Sequence, residues 1–218
     1  MKKLLCILMA LLMTVTLLTG CSTLQDEISK ILGNSDTAKN PVTRGTWEGD
    51  LYLNSYMDLA FKEPDGWKHS TDEQIVDLFE LDSSLLDDDG TFDYNLEQDQ
   101  NIYDMVCMDP LTGDSISIFY ENLYVSMTMD EYLDVLMEQA APSEFSDEVT
   151  IVDEGTVKIG QSVYNFFEIE YISDGASQTY AIRAVGDHMT AILFTDIIMD
   201  DNSKEMMMDA FSLLEDEE

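Results

Sequence analysis

The chain has 218 residues and a formal net charge of −35, from 45 acidic residues against 10 basic ones. This charge argues against nucleic acid as a partner, because attraction to phosphates depends on clustered lysine and arginine. It argues equally against a polybasic dock on anionic lipid. Hydrophobic residues make up 45% of the chain and aromatic residues 10%, enough to form a packed core and to argue against disorder throughout.

The N-terminal segment, residues 1–20, has the layout of a signal peptide. Two lysines precede an apolar run from Leu4 to Leu18. This run is long enough for a signal peptide and shorter than the roughly 20 residues of a transmembrane helix. It ends in the sequence Leu18–Cys21, which resembles the lipobox of bacterial lipoproteins. The resemblance implies cleavage before Cys21 and attachment of diacylglycerol to its thiol, with palmitate as a typical acyl chain.

A lipid anchor on Cys21 predicts attachment to the cell membrane on its extracytoplasmic face, and two acyl chains make that attachment stable. Residues 21–46 are polar and are interpreted as a flexible tether, which at about 25 residues reaches roughly 25–30 Å. Cys6 leaves with the signal peptide and Cys21 is lipidated, so only Cys107 remains and no intramolecular disulfide is possible. The tether and the lack of disulfides fit a Gram-positive cell.

Residues 47–218 are predicted to form a single α+β domain. Its first elements are a strand pair, Trp47–Asn54 and Leu59–Lys62, followed by a turn at Pro64–Trp67. The sequence Ser70–Glu73 has the spacing of a capping box, with a hydroxyl at the cap and a carboxylate three residues later. Apolar residues at helical spacing then predict a first helix from Thr71 to Leu81.

The middle of the domain predicts a hairpin and a second helix. Strands are expected at Ile102–Met108 and Ser115–Glu121, and the alternating pattern of the first predicts that Cys107 is a small buried hydrophobe. A second capping box, Thr128–Glu131, opens the helix. One continuous apolar stripe follows at helical spacing: Met129, Tyr132, Leu133, Leu136, Met137 and Ala140.

The last third predicts a second hairpin, a central strand and a final helix. Strands Val163–Ile172 and Gln178–Val185 flank an Asp-Gly turn, and a two-residue turn places Ile169 opposite Tyr180. The strand that follows, at 189–198, is apolar on both faces, as a central strand would be. With a final helix at 203–214, the elements predict an antiparallel sheet of about six to eight strands with packed helices.

The strand pair, the turn Phe61-x-x-Pro64-x-Gly66-Trp67, the capped helix, the antiparallel meander and the C-terminal helix together resemble the PsbP-like domain. This resemblance implies an α/β/α sandwich and a non-enzymatic binding or assembly role. The shared turn is structural in the family, so no functional residue is carried over. Fold analogy alone is a weak warrant for function.

Sequence motifs of nucleotide-binding loops, serine hydrolases and zinc proteases are absent from the chain. Its two histidines, His69 and His188, are both predicted to lie in surface loops. With so few histidines and free cysteines, a zinc or copper site of the usual ligand types is not expected. A glycosidase with two carboxylates stays open, because any two of the many acids could meet in space.

The acidic loop, Asp87–Asp93, is the one sequence that suggests a metal ion. Calcium takes oxygen ligands, and Gly90 would allow the loop to turn sharply around the ion. The EF-hand pattern fails, because leucines occupy its first and twelfth positions, where acids are required. A looser calcium site at Asp87, Asp89 and Asp93 is hypothesised, and a solvated loop without metal is the alternative.

These observations predict a non-catalytic lipoprotein that binds or supports another envelope component. The acidic surface favours a protein partner with basic patches and binding that weakens as salt rises. A small-molecule-binding or calcium-binding lipoprotein is the first alternative, and an unrecognised hydrolase is the second.

Overall fold

The structure, a computed structural model, describes residues 41–123, 127–140, 149–160, 162–172, 175–197 and 203–212. The predicted signal peptide, Cys21 and most of the predicted tether therefore lie outside the described residues. Within the described ranges, no helix has the length and apolar character needed to cross a membrane.

Eleven strands, three α-helices and one short 3-10 helix at Ser83–Leu85 make up the described part of the fold. In chain order the strands and α-helices are β1 (Thr46–Glu48), β2 (Leu51–Asn54), β3 (Leu59–Lys62), β4 (Lys68–His69), α1 (Asp72–Leu78), β5 (Asn101–Met108), β6 (Ser115–Asn122), α2 (Met129–Ala140), β7 (Val149–Ile159), β8 (Ser162–Tyr171), β9 (Ala176–Val185), β10 (His188–Asp196), α3 (Ser203–Asp209) and β11 (Phe211–Ser212).

The strands form two antiparallel sheets. The larger has seven strands in the order β4-β5-β6-β10-β9-β8-β7, and the smaller has four in the order β1-β2-β3-β11. This confirms the predicted antiparallel sheet of six to eight strands with packed helices. The smaller sheet was not predicted as a separate layer, because its strands have two to four residues and show little alternation.

The larger sheet is the middle layer, with a hydrophobic core on each face. On one face, side chains of the smaller sheet and α3, such as Phe61 and Met207, pack against Ile192 and Phe194 of β10. The helices α1 and α2 cover the other face. All nine residues of β10 are buried, as predicted for a central strand between two covered faces.

Helix α2 has the predicted cap and stripe. The Thr128 hydroxyl accepts a hydrogen bond of 3.2 Å from the Glu131 amide, and the Glu131 carboxylate accepts one of 2.8 Å from the Thr128 amide. The stripe packs on β8, β9 and β10, with Tyr132, Leu136 and Ala140 fully buried. Capping and burial together hold α2 against the sheet.

Three predicted boundaries were wrong at the N-terminal side. Strand Trp47–Asn54 is two strands, because Gly49 adopts a positive φ of 70° and turns the chain between β1 and β2. The cap of α1 is Thr71, paired with Gln74, one residue later than predicted. The helix ends at Leu78, and Glu80, with a φ of 49°, lies outside it.

The register of the second hairpin was also wrong. Ile169 lies opposite Gln178, two residues away from the predicted partner Tyr180. The connection between Tyr171 and Ala176 has four residues in place of the two assumed for an Asp-Gly turn. Since a shift of two residues preserves side-chain direction, the predicted faces of both strands are unaffected.

The last helix is shorter than predicted, and one strand was missed. Helix α3 ends at Asp209, and Phe211 lies in β11, where it pairs with Phe61. Residues beyond 212, including Leu214, lie outside the described ranges. Strand β7 was not predicted, because residues 150–156 are exposed on both faces and their sequence shows no alternation.

Candidate functional site

The four predicted site residues fall into two groups, which are Cys21 and the three aspartates of the acidic loop. Cys21 is outside the described residues, so its lipidation stays a prediction. Asp87, Asp89 and Asp93 lie in the exposed connection between α1 and β5. Cys107 is fully buried with a free thiol, as predicted, and burial raises the pKa of that thiol to about 12, which makes it a poor nucleophile.

The acidic loop is held by its own hydrogen bonds. The Asp87 carboxylate accepts bonds from the amides of Asp89 and Thr91, at 2.9 and 3.0 Å, and from the Thr91 hydroxyl at 3.0 Å. The Thr91 amide and hydroxyl, together with the amide of Asp89, lower the pKa of Asp87. Asp87 thus acts as a turn-forming residue, with its oxygens pointing to its own backbone.

No group of three or more Asp, Glu, His or Cys side chains in the described ranges is arranged to hold a metal ion. The loop conformation uses Gly90 at a φ of 77°, as the sequence suggested for a sharp turn. The calcium hypothesis for Asp87, Asp89 and Asp93 stays a prediction, with its own experiment below.

The histidines occupy different environments, and the prediction was wrong for His188. His188 is buried at the start of β10, where its Nε2–H donates to the Leu96 carbonyl at 3.1 Å. Its Nδ1 lies 3.0 Å from the Tyr56 hydroxyl, which also contacts the Val185 carbonyl. Burial lowers the pKa of His188 and favours the neutral ring.

His69 is exposed, as predicted, but it lies on the edge strand β4 and not in a loop. Its ring stacks on Trp47 with centroids 4.1 Å apart, and its Nδ1 lies 2.6 Å from Glu63. Because Trp47 belongs to the smaller sheet and His69 to the larger one, this stack joins the edges of the two sheets.

Asp104 is the most densely hydrogen-bonded side chain between the sheets. It lies at a bulge in β5, is fully buried, and accepts hydrogen bonds from the hydroxyls of Tyr52 and Tyr120. The Asn54 amide donates to it at 2.7 Å, and the Gly45 backbone N–H donates at 2.9 Å. Burial raises the pKa of Asp104, and the tyrosine hydrogen bonds and the charge of Arg44 oppose that rise.

Gly45 reaches Asp104 only because it has no side chain. A Cβ at this position would lie 2.2 Å from the Tyr52 ring, well inside van der Waals contact. The ordered contacts of the domain therefore begin before Trp47, the predicted start. Val42 already packs on the core between the sheets.

Arg44, in the segment that precedes β1, contacts both α1 and the residue Asp104. Its guanidinium donates two hydrogen bonds to Asp72 on α1 and one of 2.9 Å to the Asp104 carbonyl. It also lies over the Phe92 ring, 4.9 Å from the centroid, a cation–π arrangement. Burial works against the charge of Arg44, but the hydrogen bond and charges of Asp72 and Asp104 outweigh it, and the pKa of Arg44 is raised.

The other buried carboxylates have structural roles at separate places. Glu121 faces α2, where it accepts a hydrogen bond of 2.8 Å from Tyr132, and burial raises its pKa. Asp114 accepts a bond of 2.8 Å from the Ile197 amide and ties the β5–β6 turn to the end of β10, next to buried Asp196. Asp104 and Glu121 lie on opposite faces of the sheet and cannot act together.

The clearest exposed feature is the edge ribbon, defined here as β7, β8 and the adjoining Ile172. Strand β7 is the longest of the fold at 11 residues, and it is the last strand of the larger sheet. The described part of the chain has seven exposed large hydrophobic side chains, and four lie on the edge ribbon: Ile151, Val152, Val163 and Ile172, which are 37%, 44%, 61% and 62% exposed.

No protein-family model matches the chain, and no curated protein shows significant similarity to it. Among solved structures, it is similar to the cyanobacterial PsbP of Synechocystis, with 10% identity and a TM-score of 0.45, over 82% of this chain and 98% of that one. LpqN of Mycobacterium tuberculosis, described as involved in cell envelope biogenesis, matches with 14% identity and a TM-score of 0.34, over 71% and 82%.

A structure from Bacteroides thetaiotaomicron matches with 13% identity and a TM-score of 0.37, over 73% of this chain and 46% of that one. Likenesses of this extent do not assign the chain to a family and carry no argument about its activity.

Sequence reasoning missed the edge ribbon and the Asp104 cluster, which is Asp104 with its donors Gly45, Tyr52, Asn54 and Tyr120. An aspartate between Tyr103 and Met105, in an otherwise apolar strand, was a signal that could have pointed to a buried carboxylate. The ribbon had a weaker signal, a run of β-branched residues at 149–152 that is followed by two acids and a glycine.

Proposed function

We propose that the protein is a lipid-anchored extracytoplasmic lipoprotein whose PsbP-like α+β domain binds or supports another envelope protein without catalysis. The observation that carries this proposal is the group of exposed apolar side chains near one end of the edge ribbon, Ile151, Val152 and Ile172. Apolar side chains gathered on one exposed part of a soluble domain are typical of a contact surface. The acidic charge of the chain favours a partner with a basic surface.

The buried polar groups support a binding role over a hydrolytic one. Asp104, Glu121 and His188 each have hydrogen-bond partners that fix the fold, and they face different parts of the core. The buried thiol of Cys107 has a raised pKa, opposite to what a nucleophile needs.

The membrane anchor is tested by replacing the thiol that would carry it. In cells, the wild-type protein is expected in the membrane fraction, and Cys21→Ser is expected to lose lipid labelling with a palmitate analogue and to remain unprocessed. Labelling of Cys21→Ser equal to that of the wild type would contradict the anchor. Cys107→Ser is the matched control and should label normally.

The binding role is tested by crosslinking the tagged, lipidated protein in cells and identifying what is captured. One dominant envelope protein, lost when salt is raised before crosslinking, is the expected result, because an acidic surface binds with marked salt dependence. Capture of no envelope protein by a well-expressed bait would contradict the proposal and make calcium and small ligands the next candidates.

A further inference from the structure

We propose that the edge of β7 that faces away from β8 pairs with an extended segment of a partner protein that carries alternating basic and apolar side chains. The partner strand would add to the larger sheet beyond β7. This inference names the surface and the chemistry of the partner, and it rests on the proposed function.

The first argument is the geometry of the edge. In the described part of the chain, β7 pairs only with β8, along ten registered positions from Val149 to Ile159. Alternate residues of an edge strand direct their N–H and C=O groups away from the sheet. An edge of eleven residues can therefore hydrogen-bond a partner strand along most of its length.

The second argument is the exposure of the ribbon. Residues 150–156 are exposed on both faces of the sheet, so the middle of β7 extends past the layers that cover the other strands. A strand added beside it would have side-chain neighbours on both faces. Ile151 and Val152 lie on β7 itself and Ile172 lies near the same end, giving the apolar part of the surface.

The third argument is charge, which disfavours full-length pairing of β7 with a second copy. Antiparallel self-pairing that uses all of β7 would place Glu154 opposite Glu154 of the second copy, and like charges facing each other destabilise a sheet. Each chain also carries a net charge of −35. A segment with alternating basic residues can place lysine or arginine opposite Glu154, on the same face of the sheet, and so replaces this repulsion by an attractive pair.

The bulge in β7 is consistent with an edge that selects its partner strand. The register with β8 shifts between Ile151 and Asp153, leaving Val152 as an extra residue. Bulges and charges on an edge strand hinder indiscriminate pairing. Here they leave pairing open to a strand of complementary charge, because the Glu154 carboxylate repels an acidic partner and attracts a basic one.

The experiment uses the purified full chain in neutral detergent and three ten-residue peptide probes. The first alternates lysine with valine and threonine, the second replaces each lysine by glutamate, and the third is the first with alternate amides N-methylated. Affinity is measured by fluorescence anisotropy, and amide hydrogen exchange locates the bound peptide.

The lysine peptide is expected to bind, to slow exchange in β7 and to lose affinity as salt rises. The glutamate and N-methylated peptides should bind at least about tenfold more weakly, because one reverses the charge and the other removes the main-chain donors. Asp153→Asn with Glu154→Gln should weaken the lysine peptide about fivefold. Asp88→Asn with Asp89→Asn removes the same charge from the exposed acidic loop and should change its affinity less than twofold.

Four results would each overturn the proposal. The first is that the two double variants weaken binding of the lysine peptide equally, and the second is that the N-methylated peptide binds as tightly as the lysine peptide. The third is that the bound peptide slows amide exchange outside β7, and the fourth is that millimolar peptide slows no amide exchange. If the β7 amides that do not bond to β8 are already protected in the peptide-free monomer, a segment of this chain covers the edge. If their protection grows with protein concentration, a second copy does. Both of these outcomes also overturn the proposal.

The proposed function and the β7 proposal can be contradicted independently of each other. If crosslinking in cells captures one envelope protein and the Asp153→Asn, Glu154→Gln variant captures it equally, the binding role stands and β7 is the wrong surface. If the wild type captures none, the binding role itself fails.

Discussion

The guanidinium of Arg44 donates hydrogen bonds of 2.8 and 2.7 Å to the two carboxylate oxygens of Asp72, 28 residues later in the chain. This paired contact joins the segment that enters the domain to the first turn of α1. The same guanidinium reaches the Asp104 carbonyl in the larger sheet. The segment that precedes β1 is thus fastened to both the helical layer and the sheet.

Replacing Arg44 by Ala is expected to destabilise the domain by about 2–3 kcal/mol, somewhat less than the roughly 3–5 kcal/mol typical when a fully buried ion pair loses one partner. The Asp72 carboxylate would lose its two charged donors, and the pKa of Asp72, which Arg44 and the Phe92 amide hold low against the effect of burial, would rise. Urea denaturation measures the loss. Lys62→Ala removes an exposed positive charge and should cost less than about 0.5 kcal/mol; equal losses would contradict the prediction.

Replacing Asp104 by Asn is expected to cost about 3 kcal/mol, within the range for breaking a buried polar network. An amide presents one acceptor oxygen where the carboxylate presented two, so some of the donors from Tyr52, Tyr120, Asn54 and Gly45 lose their acceptor.

Thermal and urea unfolding of Asp104→Asn measure this cost, and Asp88→Asn in the exposed loop is the matched control. A loss for Asp104→Asn no larger than that of the control would show that the cluster contributes little to stability.

The buried imidazole of His188 predicts a loss of stability in acid. Its pKa is lowered by burial from the ordinary 6.5, so below pH 6.5 the unfolded chain binds a proton that the folded chain does not. Stability from this group is complete above pH 6.5 and decreases as the pH falls toward the folded pKa. The slope is at most about 1.4 kcal/mol per pH unit, the limit for one proton.

Two measurements check this prediction. The His188 ring should titrate below pH 6.5 when followed by NMR, and His188→Gln should reduce the pH dependence of the unfolding free energy between pH 7 and 5. A titration midpoint above 6.5 would mean that the hydrogen bond to the Leu96 carbonyl and the charge of Asp187 outweigh burial.

The calcium hypothesis predicts that millimolar calcium raises the melting temperature beyond a sodium chloride control of equal ionic strength. The control is necessary because any salt relieves the self-repulsion of so acidic a chain. Asp87→Asn with Asp89→Asn should abolish the extra rise, and Asp153→Asn with Glu154→Gln should preserve it. If calcium and sodium raise the melting temperature equally, the acidic loop is a turn held by Asp87 without a metal ion.

Sequence reasoning succeeded where the decisive interactions are local or where burial has a regular period. The stripe of α2, its Thr128 cap and the central position of β10 all followed from spacing. It failed for β7, because a strand exposed on both faces has no alternation to detect. Sequence reasoning also failed for Phe211. Its spacing predicted a helix, but the residue forms a strand pair with Phe61, 150 positions away in the chain.

The amino-acid sequence by itself determined the acidic character of the chain, the signal-like N-terminus and the order of the main strands and helices. These depend on composition and on neighbours a few residues apart. Only the tertiary structure decided that Asp104 and His188 are buried, that Arg44 belongs to the fold and that β7 is an edge. Those outcomes depend on which distant segments pair, and pairing is set by long-range packing that local patterns do not encode.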